Sequence, residues 1–423
     1  MNHEKMRVRV CQLGARLHYG AARSLERKSA LEMLITDICA AKGWPSLLRF
    51  VPPSLRPASL KRLLGRVPAE IPHKRIAMYP RLGVEYQQLL SRCNDRGERL
   101  RVSLRVGKRF GDLVIRQGFG NATHAYVFSG AGLEIIQAAK SRGLQTVVEL
   151  PAAPCEIEQN IMDQEFSNYG DWETNANCDE VLKEFAALQR IEWATADRIV
   201  VPSQFVARGL ETLGVPPDRF VIVPYGIGGT LKQTVRNERT GPLRVLTVAG
   251  VKLQKGPQYI LQAAKLLRSG FEFRLVGSSA LSSSAEKQLR ENVDLVGIVP
   301  RTEVRAHFEW ADVFLFPSIC DGFGVVLLEA LAAGLPIITT PNTGVAIRDG
   351  IEGFVVPIRD GSAIADRLDR LASDPSLLKQ MSQHAMERAK DFTLDAYSDR
   401  LYDALTGEPT ESEKDNAALS FKC

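Results

Sequence analysis

Phe316-Pro317-Ser318-Ile319-Cys320-Asp321-Gly322-Phe323-Gly324-Val325-Val326-Leu327-Leu328-Glu329-Ala330-Leu331-Ala332-Ala333-Gly334-Leu335-Pro336 decides the architecture. The apolar run Val313-Phe314-Leu315-Phe316 reads as a strand that stops at Pro317. A tight Gly-x-Gly loop follows, and a helix opens near Gly324 and stops at Gly334. Glycine at 322 and 324 lets a backbone approach a ligand closely. The free N–H groups of the helix's first turn, at the positive end of its dipole, make a seat suited to a diphosphate. Asp321 lies in the loop just before that helix. Glu329 sits about a turn inside it, where a carboxylate can accept two hydrogen bonds from a diol.

Outward from this segment the chain alternates short β-branched runs with helical spacing, the mark of α/β structure with parallel sheets. The first half offers strands at Val8–Leu13, Ala125–Phe128, Thr146–Leu150 and Arg198–Val201, with a helix over 132–140 stopped by Gly143. A second series follows the polar stretch from Gly228 to Gly241. Its strands are Val245–Val248, Phe273–Val276, Asp294–Val296, Val313–Phe316 and Pro336–Thr340. Its helices are Tyr259–Leu267, Glu303–Trp310 and Val325–Ala333, with mostly helical sequence from there to Leu405. Two such series predict two doubly wound domains, with ligands beyond the carboxyl ends of the strands.

Length and composition agree. At 423 residues, with 45% hydrophobic and 24% charged, the chain is too long for one core and has the make-up of a globular enzyme. No apolar run reaches about 18 residues, which argues against a membrane-spanning helix. The N-terminal Met1-Asn2-His3-Glu4-Lys5 lacks the apolar region of a secretory signal. Seven scattered cysteines with no Cys-x-x-Cys pair fit reduced thiols, so the expected location is cytoplasmic. Charge is uneven. Met1 to Phe110 carries about 23 Lys/Arg against about 8 Asp/Glu, densest from Leu60 to Phe110, while the remainder is net acidic. Such a basic lobe is drawn to an anionic surface such as the inner face of the plasma membrane. It carries no recognition-helix signature, aromatic-interleaved basic motif or metal knuckle, so nucleic acid is not an expected partner.

The segment from Asp321 onward resembles the hallmark of the retaining GT-B glycosyltransferases of family 4 (glycosyl transferases group 1). The match runs through Asp321-Gly322-Phe323-Gly324, Glu329-Ala330 and Ala333-Gly334-Leu335-Pro336-Ile337-Ile338. Asn342-Thr343-Gly344 and Asp349–Val356 are similar to the loop and glycine-turn strand that follow. Ala196–Ser203 and Val221–Gly226 resemble the end of the N-terminal domain and the crossover. The likeness is strong from about Glu192 to Leu405 and loose before that.

The resemblance implies an α/β protein of the GT-B fold, with two Rossmann-like doubly wound domains facing a central cleft. Residues 1–226 would form an acceptor-side domain, basic and membrane-facing, and 227–392 a nucleotide-sugar-binding domain. A helix at 393–406 would pack back on the first domain, with 407–423 a frayed tail. The implied activity moves a sugar, with retention, from a UDP- or GDP-linked donor to a glycan or lipid-linked acceptor in cell-surface polysaccharide synthesis. No cofactor beyond the donor is implied.

Lys255, in Ala249-Gly250-Val251-Lys252-Leu253-Gln254-Lys255-Gly256, would contact the donor diphosphate. The family's arginine five residues earlier is Gly250 here. Asp321 stands where relatives carry glutamate and would touch the sugar. Glu329 would hold the ribose hydroxyls, and the N–H groups around Gly322, Phe323, Gly324 and Val325 the diphosphate. Val299 and Arg301 are candidates for the base. No histidine follows Val148-Glu149-Leu150, and Glu149 is the acidic candidate there. His18 and Tyr19, after the first strand, are the acceptor-side candidates. His124 precedes a strand and reads as structural; His3, His73, His307 and His384 have no companion at metal-ligand spacing, and no Asp-x-Asp stands at a strand end. A metal-independent transfer is expected. The alternatives are a nucleotide-sugar epimerase on the same fold and a non-catalytic nucleotide-sugar-binding protein.

Overall fold

A computed structural model describes residues 5–93, 95–173, 179–228, 241–267, 269–344 and 346–407. Thirteen strands form two wholly parallel sheets among these residues. In the first half they are β1 (Val8–Gln12), β2 (Leu31–Thr36), β3 (Ile76–Met78), β4 (His124–Phe128), β5 (Gln145–Glu149), β6 (Arg198–Val201) and β7 (Phe220–Ile222). Their order is β3-β2-β1-β4-β5-β6-β7. The second sheet comprises β8 (Leu243–Val248), β9 (Phe271–Val276), β10 (Val293–Gly297), β11 (Val313–Phe316), β12 (Ile337–Thr339) and β13 (Gly353–Val355). Its order is β10-β9-β8-β11-β12-β13. Each order reverses beside the first strand of its sheet. Those two switch points are where the loops carrying His18 and Asp321 emerge.

The strands are buried on both faces, which is why they read as continuous apolar runs. Val8, Val10, Val127, Val148, Phe314, Leu315, Ile337 and Ile338 are fully enclosed. Three strands of the first sheet escape the sequence reading, among them the three-residue β7, which lies in the stretch likened to the crossover. β2, Leu31-Glu32-Met33-Leu34-Ile35-Thr36, interrupts its apolar run with Glu32, and β3 is three residues long.

Two segments cross between the lobes in opposite senses. Helix Cys155–Asn168, from the first half of the sequence, packs on the second lobe. Its buried Glu165 accepts from Tyr259 Oη, from Gln258 Nε2 at 2.8 Å and from the Arg359 guanidinium. Met162 and Trp172 sit in the second lobe's core. Helix Leu394–Thr406 goes the other way and lies on helix Gly20–Arg27, with ion pairs Arg27–Asp395 and Lys28–Asp399 at its edge. The polar junction falls largely at 229–240 and the tail at 408–423, both outside the described residues.

Candidate active site

Strand β11 delivers the chain to the glycine loop, and helix Val325–Ala332 leaves it with Gly324 at its N-cap. Two of the loop's N–H groups are already engaged. Asp321 donates to Asn342 O and Gly324 to Thr343 O, each at 2.8 Å, which pins the loop to the turn after β12. Among the described residues no backbone carbonyl takes the N–H of Gly322 or Phe323. The anion seat is therefore narrower than the sequence suggests, because the amides of Gly324 and Val325 are both occupied, the latter by Phe323 O at 2.9 Å.

The two glycines also serve a different approach from the one expected. A Cβ at Gly322 would lie 2.4 Å from Ala152 Cα and 2.4 Å from Pro151 O, in the other lobe. Ser203 Oγ donates to Gly322 O at 2.6 Å. Residue 322 thus lets two backbones meet across the cleft. Gly324's Cβ direction is filled by Phe316 and Leu327 of its own lobe. The Phe323 ring is buried edge-on to Tyr225, with centroids 5.4 Å apart, so only its backbone is placed to meet a ligand.

Lys255 closes the 3₁₀ turn Leu253–Lys255, and Gly256 follows in the left-handed region at φ 75°. A Cβ there would lie 2.2 Å from Pro317 O, so only glycine lets this turn press against the end of β11. The close approach brings Lys255 Nζ into an ion pair with the Asp321 carboxylate, 5.5 Å above the Phe316 ring centroid. Both side chains are mostly covered, at 17% and 21% exposure. At Gly250 the nearest atoms to an added Cβ are Ser278 O and Oγ, at 3.8 and 3.9 Å, so a longer side chain has room. A cation that the sequence reading missed lies two residues on. Lys252 is half-buried, and its pKa is depressed by burial first and by Lys255 second, against the pull of Glu158 and Glu173.

A cavity of about 750 Å³ opens between the lobes, lined in part by the helix that follows Asp321 and not by Lys255 or Asp321 themselves. From the second lobe, Arg301, Val304, Phe308, Val325 and Glu329 line it; from the first, Leu17 and His18. Burial pushes the Glu329 carboxyl up from its ordinary value, opposed by the charge of Arg301. The Arg301 guanidinium meets His18 Nε2 across the gap. Guanidinium has no acceptor, so His18 accepts and carries its proton on Nδ1. Burial, Arg301 and Arg23 all depress the His18 pKa, in keeping with a neutral ring. Leu17, His18 and Tyr19 have φ of 50°, 50° and 62°. Three successive non-glycine residues in the left-handed region cost about 1–3 kcal/mol each, and surrounding contacts hold them there.

Two acceptor-side expectations need correcting. The Tyr19 side chain is fully enclosed in the first lobe's core, its hydroxyl 3.5 Å from Ile38 O, and does not reach the cleft. Glu149 is 1% exposed and accepts hydrogen bonds from the hydroxyls of Tyr126, at 2.6 Å, and Tyr225, at 2.5 Å. It anchors the end of β5 and does not face an acceptor. Burial raises its pKa despite those bonds. Val299 is half-buried on the loop after β10 and is not part of the cavity wall, whereas Arg301 is.

A smaller pocket of about 310 Å³ in the first lobe lies behind Pro151 and Ala152, the residues that touch Gly322. Arg16, Arg96 and Arg99 line it, with Ser103, Glu158 and Gln189. Arg96 pairs with Glu158 at 2.8 Å. In sequence these arginines are only part of a basic stretch, and nothing local marks them out. Among the described residues no cluster of three His, Cys, Asp or Glu could hold a metal ion.

Residues 231–388 match the family model described as glycosyl transferases group 1. The putative colanic acid biosynthesis glycosyltransferase WcaL of Salmonella typhimurium is 29% identical over 246 residues, which are 53% of this chain and 60% of that protein. The amylovoran biosynthesis glycosyltransferase AmsK of Erwinia amylovora is 29% identical over 38% of this chain and 44% of its own length. The chain thus spans about half the length of these curated relatives. Among solved structures, Anabaena Alr3699/HepE in complex with UDP-glucose covers 95% of this chain and 100% of its own, with TM-score 0.61 and 13% identity. Sucrose-phosphate synthase from Thermosynechococcus elongatus covers 96% and 100%, with TM-score 0.63 and 16% identity. Two Rossmann-like lobes around a cleft, matching those structures across nearly the whole chain, make this the GT-B fold.

Proposed function

We propose that this protein is a retaining glycosyltransferase of family 4 that uses a nucleoside-diphosphate sugar, UDP- or GDP-linked. The observation that carries the reading is the Lys255–Asp321 pair, set at the mouth of the helix whose next turn offers Glu329 to the cavity. The base and ribose would occupy the 750 Å³ cavity, the ribose hydroxyls donating to Glu329, with Arg301 near the base. The diphosphate would lie along the Gly322 and Phe323 amides and Lys255, with Lys252 supplying the charge that Gly250 lacks. Fixed donors aimed at a growing negative charge stabilise it without reorganisation. No divalent ion is then required.

As the anomeric C–O bond breaks, the electron pair goes to the departing phosphate oxygen. That oxygen takes the acceptor hydroxyl's proton on the same face, and the new C–O bond forms with retention. Asp321 would orient the sugar, and contact between the lobes at Gly322 would exclude water. The relatives named for colanic acid and amylovoran biosynthesis support a glycan or lipid-linked acceptor in cell-surface polysaccharide synthesis, bound on the first-lobe side. The basic first lobe would face the anionic cytoplasmic leaflet as a peripheral protein. Among the described residues no helix is long and apolar enough to cross a membrane.

A panel of UDP- and GDP-sugars, read by thermal shift and by transfer to membrane extract, tests the reading. One donor should raise the melting midpoint and yield an α-configured product from an α-linked donor. No shift and no transfer with any donor would falsify it. Donor binding without turnover on any acceptor would favour the nucleotide-sugar-binding alternative, which the missing cation at 250 supports.

A further inference from the structure

Between Asp37 and Glu70 the chain has no acidic residue but contains Lys42, Arg49, Arg56, Lys61, Arg62 and Arg66. This stretch is the excursion joining β2 to β3 at the outer edge of the first sheet. It is built from short pieces, Gly43–Leu47, Leu48–Phe50, Pro53–Leu55 and Ala58–Leu64, broken up by Pro52, Pro53 and Pro57. Trp44, Leu47 and Phe50 recur every three residues and so share one side of the first two turns.

That side faces solvent. Trp44 is 49% exposed, Leu47 62%, Phe50 78% and Leu55 70%. With Val67, this excursion holds five of the nine exposed large apolar side chains among the described residues. A contiguous apolar patch on an otherwise polar surface marks an interaction site. The cations around it are not neutralised. Lys42 and Arg56 donate to backbone carbonyls, as does Arg49 at 2.7 Å, and Lys61 and Arg62 make no ion pair among the described residues. Only Arg66 has a carboxylate, Asp37 at 3.1 Å. Large apolar tips ringed by unpaired cations match an anionic bilayer, whose headgroups take the charge and whose acyl boundary takes the rings. The excursion also leads into the cleft, since Val67 and Ala69 line the cavity with His18.

We propose that residues 43–67 form an interfacial anchor. Trp44, Leu47 and Phe50 enter the acyl boundary of an anionic leaflet, while Lys42, Arg49, Arg56, Lys61 and Arg62 hold lipid phosphates. The anchor builds on the placement of the basic lobe against a membrane and does not depend on which sugar is moved.

The test uses the full chain with vesicles of phosphatidylglycerol and phosphatidylcholine in equal parts, and with phosphatidylcholine alone. Flotation, sedimentation velocity and tryptophan emission are the readouts. Of the four tryptophans, Trp172 and Trp193 are buried and Trp310 half-buried, so Trp44 reports the contact. The anionic vesicles should bind the protein and shift its emission to the blue. Trp44→Phe should keep the binding and lose the shift. Trp44→Ser with Phe50→Ser should lower the vesicle partition about tenfold or more, with an unchanged melting midpoint and UDP affinity. If the double variant floats like the parent, and salt alone releases both, the basic lobe binds membranes but the anchor is wrong. If no vesicle binds the parent, both the anchor and the membrane-facing lobe fall. A concentration-dependent dimer that the double variant abolishes, without vesicle binding, would assign the patch to a second copy of the chain instead.

Discussion

Lys255 and Asp321, 66 residues apart in sequence, form an ion pair on the adjacent loops that follow β8 and β11. On the proposed reading, a diphosphate arriving at this point would exchange one charged partner for another, so the lysine would not be left buried and unpaired. The aspartate side chain is long enough to reach the lysine directly.

Lys255→Ala should lower the transfer rate about 10²–10³-fold, the usual cost of removing one donor to a developing oxyanion. Lys255→Arg should recover part of the loss. Steady-state kinetics, with circular dichroism to establish an intact fold, measures it.

Gly250→Arg should tighten UDP binding. An added Cβ meets nothing closer than 3.8 Å, and the guanidinium would meet phosphate charge. Isothermal titration of parent and variant decides this, and weaker binding would show that Lys252 already satisfies the site.

Gly322→Ala should separate the lobes while leaving each folded, since its methyl would fall 2.4 Å from Ala152 Cα. We expect a larger radius of gyration in solution scattering and a fall in kcat, with UDP affinity changed less. An unchanged radius together with parental kcat would show that the two backbones need not touch.

Donor affinity should weaken on acidification, beginning above the ordinary carboxylate range. The raised pKa of Glu329 means that its carboxylate is protonated sooner as pH falls, and a protonated carboxyl loses acceptor capacity toward two hydroxyls. Glu329→Gln should bind UDP more weakly and with a flat response over that window. Titrations at several pH values give the comparison.

Glu149→Ala should destabilise the first lobe by about 1–3 kcal/mol for each tyrosine hydroxyl left without its acceptor. The pH sign is the reverse of the usual carboxylate case. Because folding raises this group's pKa, its stabilising contribution is full below the unfolded value and declines as pH rises through the folded one. Chemical denaturation of parent and Glu149→Gln across that interval should show a steeper decline for the parent.

The second lobe was nearly transparent in sequence because each strand is a short apolar run bounded by glycine or proline. β11 was read at its observed ends, and β8, β9, β10 and β12 within two residues. In the first lobe β2, β3 and β7 are hidden, the first by Glu32 within its run and the other two by their brevity. The site divided along the same line. Lys255 and Asp321 stand beside glycines that flag their turns and form one ion pair, while Arg301 and Glu329, each on the first turns of a helix, line the interlobe cavity. Tyr19 and Glu149 mislead because position at or just past the end of a strand says nothing about which way a side chain turns; the left-handed turn at 17–19 sends His18 out and Tyr19 in, and Glu149 at the end of β5 turns into the core. Arg16, Arg96 and Arg99 converge only through tertiary packing.

The helix Leu394–Thr406 covers a surface, helix Gly20–Arg27, made far upstream of it in the chain. Tyr397 packs beside Gly20, and Leu394 and Leu401 share a core with Ala21 and Leu25. At about 5–20 residues per second, a ribosome needs on the order of tens of seconds to travel from one to the other. Throughout that interval the nascent first lobe holds an uncapped greasy face, so its maturation waits on a helix made long after it, and a chain stalled before residue 394 is a natural client for chaperones.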